Sequence, residues 1–287
     1  MRDGLLIVTD VDNTLFDWVA IWSGAFDAMV DRLTSTSGTP RDEWLAAVHR
    51  AHVRRQATEC PSLLCDLASS MEMLSDAGAR RVLREAAATY RTFWEHHLVP
   101  YGGVLDTLSE LARSGHQVVA YTEGDAVVAA GRLARLGLSG IVRRVFGRAP
   151  LPAAQEPSWS LVDVSRSCPI AVDFVPREDA KPSPAGLARI IARCGRVPRD
   201  VVYVGDNLWK DVAMARALGA AACWARYGTS RDPAHAALLN RVAHWTAVDL
   251  GDERRATPHG ISPDAILDDP RALVEAVALR GAMVSSI

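Results

Sequence analysis

The sequence has few cysteines, few lysines and no long apolar run. Its five cysteines are odd in number and form no C-x-x-C pair, which argues against both a disulfide framework and a zinc knuckle. No run reaches the roughly 18 apolar residues that a membrane-spanning helix needs. The apolar run near the start is also too short for a secretory signal. These absences predict a cytoplasmic protein with free, buried thiols.

The chain also has no large excess of positive or negative charge. The chain has 32 basic and 34 acidic residues and a formal net charge of −2. This balance argues against partners that are nucleic acids or anionic membrane surfaces, so any anion must be recognised locally. Only two of the basic residues are lysines, Lys181 and Lys210. In a chain that otherwise uses arginine, a lysine is kept by chance or where a compact, flexible ammonium group is needed.

One short stretch near the start carries a pattern typical of a catalytic site. Leu5 to Val8 form an apolar block after Gly4, which favours a strand buried on both faces of a parallel sheet, and Asp10 and Asp12 follow it. In extended chain these two side chains point the same way, roughly 7 Å apart. Two carboxylates in one cleft need a cation or a shared proton between them. The stretch therefore indicates a Mg²⁺ site or a proton-sharing pair, with a simple Asx-turn as the alternative.

The later part of the chain alternates between strand-like and helical patterns. Predicted strands cover 117–121, 142–146, 170–175, 200–205 and 220–225, with a short strand around 161–164 inside a longer loop. Predicted helices cover 104–111, 126–136, 185–194 and 211–218, and residues 242–245 with a helix around 270–277 complete the alternation. At 287 residues, this alternation predicts an α/β fold with a doubly wound parallel sheet.

A long helical segment separates the first strand from the second. Apolar residues at helical spacing predict helices over 18–33, 41–56 and 69–96, with an interruption at Asp76–Gly78. The segment is too long for an ordinary connection. It therefore predicts a helical cap, residues 18–97, inserted into a core domain formed by residues 1–17 and 98–287.

The side chains of this cap say little about the substrate. Two of them, His49 and His52, lie three residues apart on one helix, which favours a solvated or substrate-facing helix edge over a metal site. Four aromatic residues at helical spacing favour a role in the core over a pocket wall: Trp18, Trp22, Phe93 and Trp94.

Four short motifs follow one another in the order seen in the haloacid dehalogenase superfamily, which the chain resembles over its whole length. They are Asp10-Val11-Asp12-Asn13-Thr14 after the first strand, Thr122 after the second, Lys181 ahead of a helix, and Gly205-Asp206-Asn207 with Asp211. The resemblance implies a Rossmann-like core with a cap inserted after the first motif. Glu123 departs from the small or amide residue often found after the hydroxyl of the second motif.

The chemistry expected of these residues agrees with that of the superfamily. Asp10 can attack a phosphorus atom and form an aspartyl-phosphate. Asp12 can protonate the leaving oxygen and later deprotonate water. Mg²⁺ would be held by Asp10, the Asp12 backbone carbonyl and Asp206, with Asp211 as a ligand or as an orienting group. The phosphoryl oxygens would be held by Thr122, with Glu123 beside it, and by Lys181.

We therefore expect a Mg²⁺-dependent phosphatase that acts on a small phosphorylated metabolite, as a monomer or homodimer without nucleic-acid or membrane partners. A phosphotransferase such as a phosphomutase would use the same residues. A haloacid-type dehalogenase needs Asp10 but neither a metal nor a leaving-group acid, so Asp12 argues against it. A non-catalytic binding module is disfavoured because the acidic residues, Thr122 and Lys181 are all present.

Overall fold

A seven-stranded parallel sheet forms the centre of the molecule. The structure is a computed structural model that describes residues 4–70, 77–151, 157–162, 168–245 and 261–285. The strands are β1 (Leu6–Thr9), β2 (Gln117–Asp125), β3 (Val142–Arg148), β4 (Ala171–Phe174), β5 (Val201–Gly205), β6 (Ala221–Ala225) and β7 (Ala265–Leu267). They lie in the order β4-β3-β2-β1-β5-β6-β7. The predicted doubly wound parallel sheet is confirmed.

The first strand is buried on both faces because helices cover both sides of the sheet. All four residues of β1 are buried, and they pair in register with β2 on one side and β5 on the other. Ile7 packs into the apolar cluster that includes the cap, while Leu6 and Val8 pack into a second cluster on the opposite face. The continuous apolar run therefore reflects burial on two faces. The strand also brings the residues that follow it to the middle of the sheet edge.

Ten α-helices lie in the described part of the chain, and the first four form the segment between β1 and β2 that we predicted to be a cap. They are α1 (Trp18–Ser37), α2 (Arg41–Arg55), α3 (Leu63–Ser70) and α4 (Ala77–His97). α1 begins where the Asp17 carboxylate accepts a hydrogen bond of 2.9 Å from the Ala20 amide. Its apolar side packs against α4 through buried aromatic side chains, including Trp22 and Trp94. The predicted helical cap is thus present.

Five of the six remaining α-helices flank the sheet, and the other packs against the cap. The six are α5 (Val104–Arg113), α6 (Ala126–Arg135), α7 (Pro184–Arg193), α8 (Met214–Ala217), α9 (Pro233–Val242) and α10 (Ala272–Ser285). α5, α6 and α10 contribute to the cluster on the Ile7 face, and α7 and α8 to the cluster on the Leu6 face. None of the helices in the described ranges combines the length and apolar character that crossing a bilayer would require.

Some predicted boundaries were wrong. The strand expected around 161–164 is absent at Leu161 and Val162, and residues 163 and 164 lie outside the described residues. The predicted helix over 69–96 divides into the end of α3 and α4, with Ala77 and Gly78 inside α4 and Asp76 outside the described residues. The final strand is β7, whereas Val242 ends α9 and residues 243–245 form no strand.

Helix α9 attaches the sheet to the cap. It follows β6 in sequence, but it packs against α1 and α2. The imidazole Nδ1 atoms of two α2 residues contact carbonyl oxygens at its end: His49 with Ala243 at 3.1 Å, and His52 with Val242 at 2.7 Å. The prediction of a solvated or substrate-facing edge is therefore wrong for His52, which is fully buried. For His49 the prediction is correct in one respect, because this residue is exposed.

Burial of His52 should make the stability of the protein depend on pH. Because a carbonyl oxygen only accepts, Nδ1 carries the proton, and Nε2 is buried without a partner among the described residues. Burial, with His49 and His244 nearby, lowers the pKa of His52 from 6.5 to about 4. The unfolded chain binds this proton first as the pH falls, so the free energy of unfolding should drop between these two pKa values, by up to about 3 kcal/mol.

The variant His52→Asn isolates this effect because its amide can still donate to the Val242 carbonyl but does not titrate. The free energy of unfolding of both proteins is measured with urea from pH 7 to pH 4. The wild type should lose up to about 3 kcal/mol more stability than His52→Asn as the pH falls over this range. A difference that is constant over this range would mean that His52 takes up its proton in the folded protein at the same pH as in the unfolded chain.

Candidate active site

Three aspartates meet at the carboxyl edge of the sheet, where ligands bind in open α/β folds. Asp10 follows β1 and its amide donates to the Val204 carbonyl of β5 at 2.8 Å. Asp206 and Asp211 follow β5. One carboxylate oxygen from each of the three lies within 4.8 Å of the others. The structure therefore brings together three of the sequence-predicted residues from two neighbouring strands.

The start of the helix after β5 fixes the position of Asp211. The Asn207 Oδ1 accepts hydrogen bonds from the Trp209 and Lys210 amides, each of 2.9 Å, at the start of the π-helical segment Leu208–Ala213. The Asn207 amide in turn donates to Asp211 Oδ2 at 3.1 Å. A Cβ atom at Gly205 would lie 2.4 Å from Asp211 Cγ, so this close approach requires glycine. The helix thus begins three residues earlier than the predicted 211.

Lys181 bridges two of these carboxylates. Its Nζ lies 2.6 Å from Asp10 Oδ1 and 2.8 Å from Asp211 Oδ1, and the lysine is buried. The Tyr203 hydroxyl donates to the same Asp211 oxygen at 2.8 Å. The two carboxylates overcome the cost of burial and raise the pKa of Lys181. The ammonium group is therefore charged and held beside Asp10.

The second aspartate of the first motif has a different environment. Asp12 Oδ2 accepts a long hydrogen bond of 3.4 Å from the Thr122 hydroxyl, and its Oδ1 is buried without a partner in the described part of the chain. Burial raises the pKa of Asp12 to about 6, against the opposing effect of Arg132. A carboxyl group in this state can carry a proton or release it near neutral pH, which suits an acid and base.

The two residues of the second motif, Thr122 and Glu123, have different environments. Thr122 is buried near the end of β2, and its hydroxyl also accepts from the Gly124 amide at 2.9 Å. It does not cap the following helix, because Asp125 accepts from the first amides of α6. Glu123 is more exposed, and its carboxylate lies 3.2 Å from Lys210 Nζ. Thr122 therefore faces Asp12, whereas the Glu123 side chain is paired with a lysine.

A loop after β6 closes over the first motif. The Tyr227 hydroxyl donates to the Thr14 carbonyl at 2.8 Å. A Cβ atom at Gly228 would lie 1.7 Å from the Asn13 carbonyl oxygen, so only glycine fits there. Asn13 itself has φ = 57° and accepts from the Val19 amide at the start of α1. This loop fixes the backbone that carries Asp10 and Asp12.

A cavity of about 680 Å³ opens at these residues. It is lined by the sheet edge and by cap residues, including Trp18 and the segment from Gln56 to Glu59. Several polar residues of the site were not predicted from the sequence, among them Tyr203, Arg148 and Arg231. Tyr203 had a signal, because it is the one polar side chain in the otherwise apolar run Val201–Val204. The two arginines had none, since each lies at the end of a strand or in a loop.

The carboxylate cluster fits a hard divalent cation. Oxygen ligands are those that Mg²⁺ prefers. Burial and the neighbouring Asp211 raise the pKa of Asp206 to about 7, as expected for acids that lack a cation among them. Arg231 is the ion-pair partner of Asp206 among the described residues, with Nη2 3.4 Å from Asp206 Oδ2. The side chain of Asp12 is outside this cluster, so its part through the backbone carbonyl stays a prediction.

Comparison with known proteins agrees with this geometry. The family model of haloacid dehalogenase-like hydrolases matches residues 5–219. The chain therefore belongs to the haloacid dehalogenase-like hydrolase family, and no curated protein sequence matches it significantly.

Three solved structures have the same fold. A 2-haloacid dehalogenase from Pseudomonas syringae pv. Tomato DC3000 has 19% identity and a TM-score of 0.58, covering 96% of this chain and 99% of that one. A haloacid dehalogenase-like family hydrolase from Xanthomonas campestris has 17% identity and a TM-score of 0.56, covering 98% and 94%. A HAD phosphatase from Thermococcus onnurineus has 16% identity and a TM-score of 0.55, covering 95% and 97%. At these identities the likeness establishes the fold alone.

Proposed function

We propose that the protein is a Mg²⁺-dependent phosphatase that hydrolyses a small phosphomonoester through an aspartyl-phosphate. The observation that carries this proposal is the bridge from Lys181 to Asp10 and Asp211, beside an oxygen cluster completed by Asp206. A nucleophilic carboxylate next to a fixed ammonium group and a cation site is suited to a reaction in which negative charge develops on phosphoryl oxygens.

The reaction takes two steps. In the first, an Asp10 carboxylate oxygen attacks phosphorus, the bond from phosphorus to the ester oxygen breaks, and the Asp12 carboxylic acid gives its proton to the leaving oxygen. In the second, Asp12 takes a proton from water, the water oxygen attacks phosphorus, and the bond to Asp10 breaks to release inorganic phosphate. The raised pKa of Asp12 supports this exchange of roles.

The other residues position the phosphoryl group. Lys181 and the Thr122 hydroxyl donate hydrogen bonds to its oxygens. Asp211 already accepts from Lys181, Tyr203 and the Asn207 amide, so we propose that it mainly orients Lys181. Asp10, the Asp12 carbonyl and Asp206 would hold Mg²⁺, which when bound reduces repulsion between the carboxylates and the phosphate dianion. Glu123, paired with Lys210, affects the charge of the pocket without binding phosphate itself.

Two other activities use the same fold. A phosphomutase would keep the phosphoryl group on the protein and return it to a substrate hydroxyl, with the same residues. A haloacid-type dehalogenase would need Asp10 alone. The partly buried Asp12 facing Thr122, together with the cluster of three aspartates, favours phosphate chemistry over halide displacement.

Metal dependence provides the first test. Purified protein should release phosphate from an aryl phosphate when Mg²⁺ is added, and excess EDTA should remove this activity until Mg²⁺ is restored. The measurement is inorganic phosphate release, with chloride release from 2-chloropropionate followed in parallel. Full activity in EDTA, or halide release without phosphate release, would contradict the proposal.

A further inference from the structure

A half-buried arginine lines the cavity without an anionic partner. Arg148 ends β3, where it pairs in register with Asp125 of β2. Among the described residues, its buried Nε has no hydrogen-bond acceptor and no carboxylate forms an ion pair with its side chain. Asp125 does not serve as that partner, because its side chain caps α6. Burial lowers the pKa of Arg148. An unpaired guanidinium in such a place is costly unless an anion binds it.

A second arginine lies close to the first. Arg177 follows β4, the strand next to β3, and lines the same cavity. Its charge acts on Arg148 and further disfavours the charged form. The one hydrogen bond that its side chain makes among the described residues is a long contact of 3.5 Å from Nη2 to the Gln56 carbonyl of the cap. Two guanidinium groups thus share one wall of the cavity.

The other charges of the cavity, apart from Asp12, are already paired among themselves. Lys181 binds Asp10 and Asp211, Lys210 binds Glu123, and Arg231 binds Asp206. Glu59, which faces the same wall, is held by two hydrogen bonds of 3.0 and 2.5 Å from Arg132. Among the described residues, the acidic groups that line the cavity therefore form no ion pair with Arg148 or Arg177, although the nearby Asp125 and Glu59 partly offset the charge of Arg148.

We propose that Arg148 and Arg177 bind a second anionic group of the substrate, a carboxylate or a second phosphate, while Asp10 and Lys181 hold the phosphoryl group that is transferred. This inference rests on the proposed phosphatase function and adds the class of substrate to it. A planar guanidinium presents paired donors that match either oxyanion.

The sheet sets the separation of the two anions. β3 and β1 lie on either side of β2, and neighbouring strands are about 4.8 Å apart, so the ends of β3 and β1 are roughly 10 Å apart. The side chains that bind the two anionic groups extend from the strand ends into the cavity and shorten this distance. A spacer of about three to six carbons then joins the two groups. The cavity has room for a molecule of this size.

Binding and turnover should be measured with one matched set of ligands. The reference ligands are n-alkyl phosphates of three to six carbons, and the test ligands are ω-carboxyalkyl phosphates and alkanediol bisphosphates of the same lengths. Calorimetry on Asp10→Asn protein measures affinity without turnover, and phosphate release by the wild type gives kcat/KM. The best test ligand should bind at least about tenfold more tightly than its alkyl reference, as expected for one charged hydrogen-bonded pair.

Substitution of the arginines tests the assignment. Arg148→Ala, introduced into Asp10→Asn protein, should remove the preference, and Arg177→Ala should reduce it. Arg143→Ala is the matched control, because Arg143 lies on the same strand, is exposed and does not line the cavity. Arg177 is exposed, so its variant remains usable if Arg148→Ala fails to fold by circular dichroism.

The outcomes separate this inference from the proposed function. A preference for carboxylates only or for bisphosphates only identifies the second group. A preference that survives in both arginine variants, or equal affinity for all ligands, overturns the inference even when the wild type hydrolyses alkyl phosphates. A preference lost with Arg148, in a wild type that releases no phosphate from any ligand, would support the anion site and contradict the phosphatase function.

Discussion

Asp10→Asn is expected to lower kcat for aryl phosphate hydrolysis by at least about 10⁴-fold, or roughly 5 kcal/mol of barrier. The amide is almost the same size as the carboxylate, so it leaves the packing in place, but it cannot form the acyl-phosphate. Lys181 keeps its second partner, Asp211, at 2.8 Å. The fold should therefore survive, as circular dichroism would show. The measurement is phosphate release under saturating substrate and Mg²⁺.

Asp106→Asn is the matched control, since this acid lies in the exposed first turn of α5 and does not line the cavity. Its kcat should stay within about twofold of the wild type, because an exposed charge contributes little. A folded Asp10→Asn protein that keeps more than a hundredth of the wild-type rate would show that another group is the nucleophile. Acid-quenched wild-type protein should carry a phosphoryl adduct on the peptide that contains Asp10.

The sheet and its acidic motifs could be predicted because each depends on local sequence. A buried parallel strand gives a continuous apolar run in the sequence. The residue after such a strand lies at the edge of the sheet, independently of how the helices pack. Asp10 and Asp206 could therefore be placed at the same edge of the sheet, and the resemblance to the superfamily placed them together at one metal site. The structure then showed β1 and β5 to be adjacent.

The C-terminal part could not be predicted in the same way. β7 has three residues, of which only Leu267 is buried, so its formation depends on pairing with β6 and leaves no periodic pattern. α9 did leave a signal that we did not use, because Asp232 caps it and Pro233 opens it. Its packing against the cap follows from tertiary contacts such as that of His52.

Charge pairing across the cavity also lay beyond sequence analysis. Lys181 is 171 positions from Asp10 in the chain. The sequence around Lys181 contains no pattern that predicts its second contact, with Asp211. Likewise Arg148 and Arg177 end or follow different strands, and only the sheet order makes them neighbours. The resemblance to the superfamily supplied the role of Lys181, whereas the two arginines match none of its four motifs.

Lys181→Arg is expected to lower kcat by at least roughly 100-fold, about 2.7 kcal/mol of barrier, similar to the loss of one preorganised oxyanion donor. The ammonium lies between two carboxylates, with the ring centres of Tyr121 and Tyr203 at 5.0 and 5.5 Å. A guanidinium is wider and planar and prefers paired acceptors. It can therefore keep the charge but not the position between Asp10 and a phosphoryl oxygen.

Lys210→Arg is the matched control, because these are the two lysines of the chain and both line the cavity. The Lys210 ammonium lies 3.2 Å from the Glu123 carboxylate, a pair that is partly exposed and that an arginine can also form. We expect kcat to stay within roughly threefold of the wild type. Steady-state kinetics on both variants, with folding checked by circular dichroism, decides between the lysines. If Lys210→Arg proves the more damaging, the phosphoryl group is held on the Glu123 side of the cavity, and the bridge from Lys181 to Asp10 is structural.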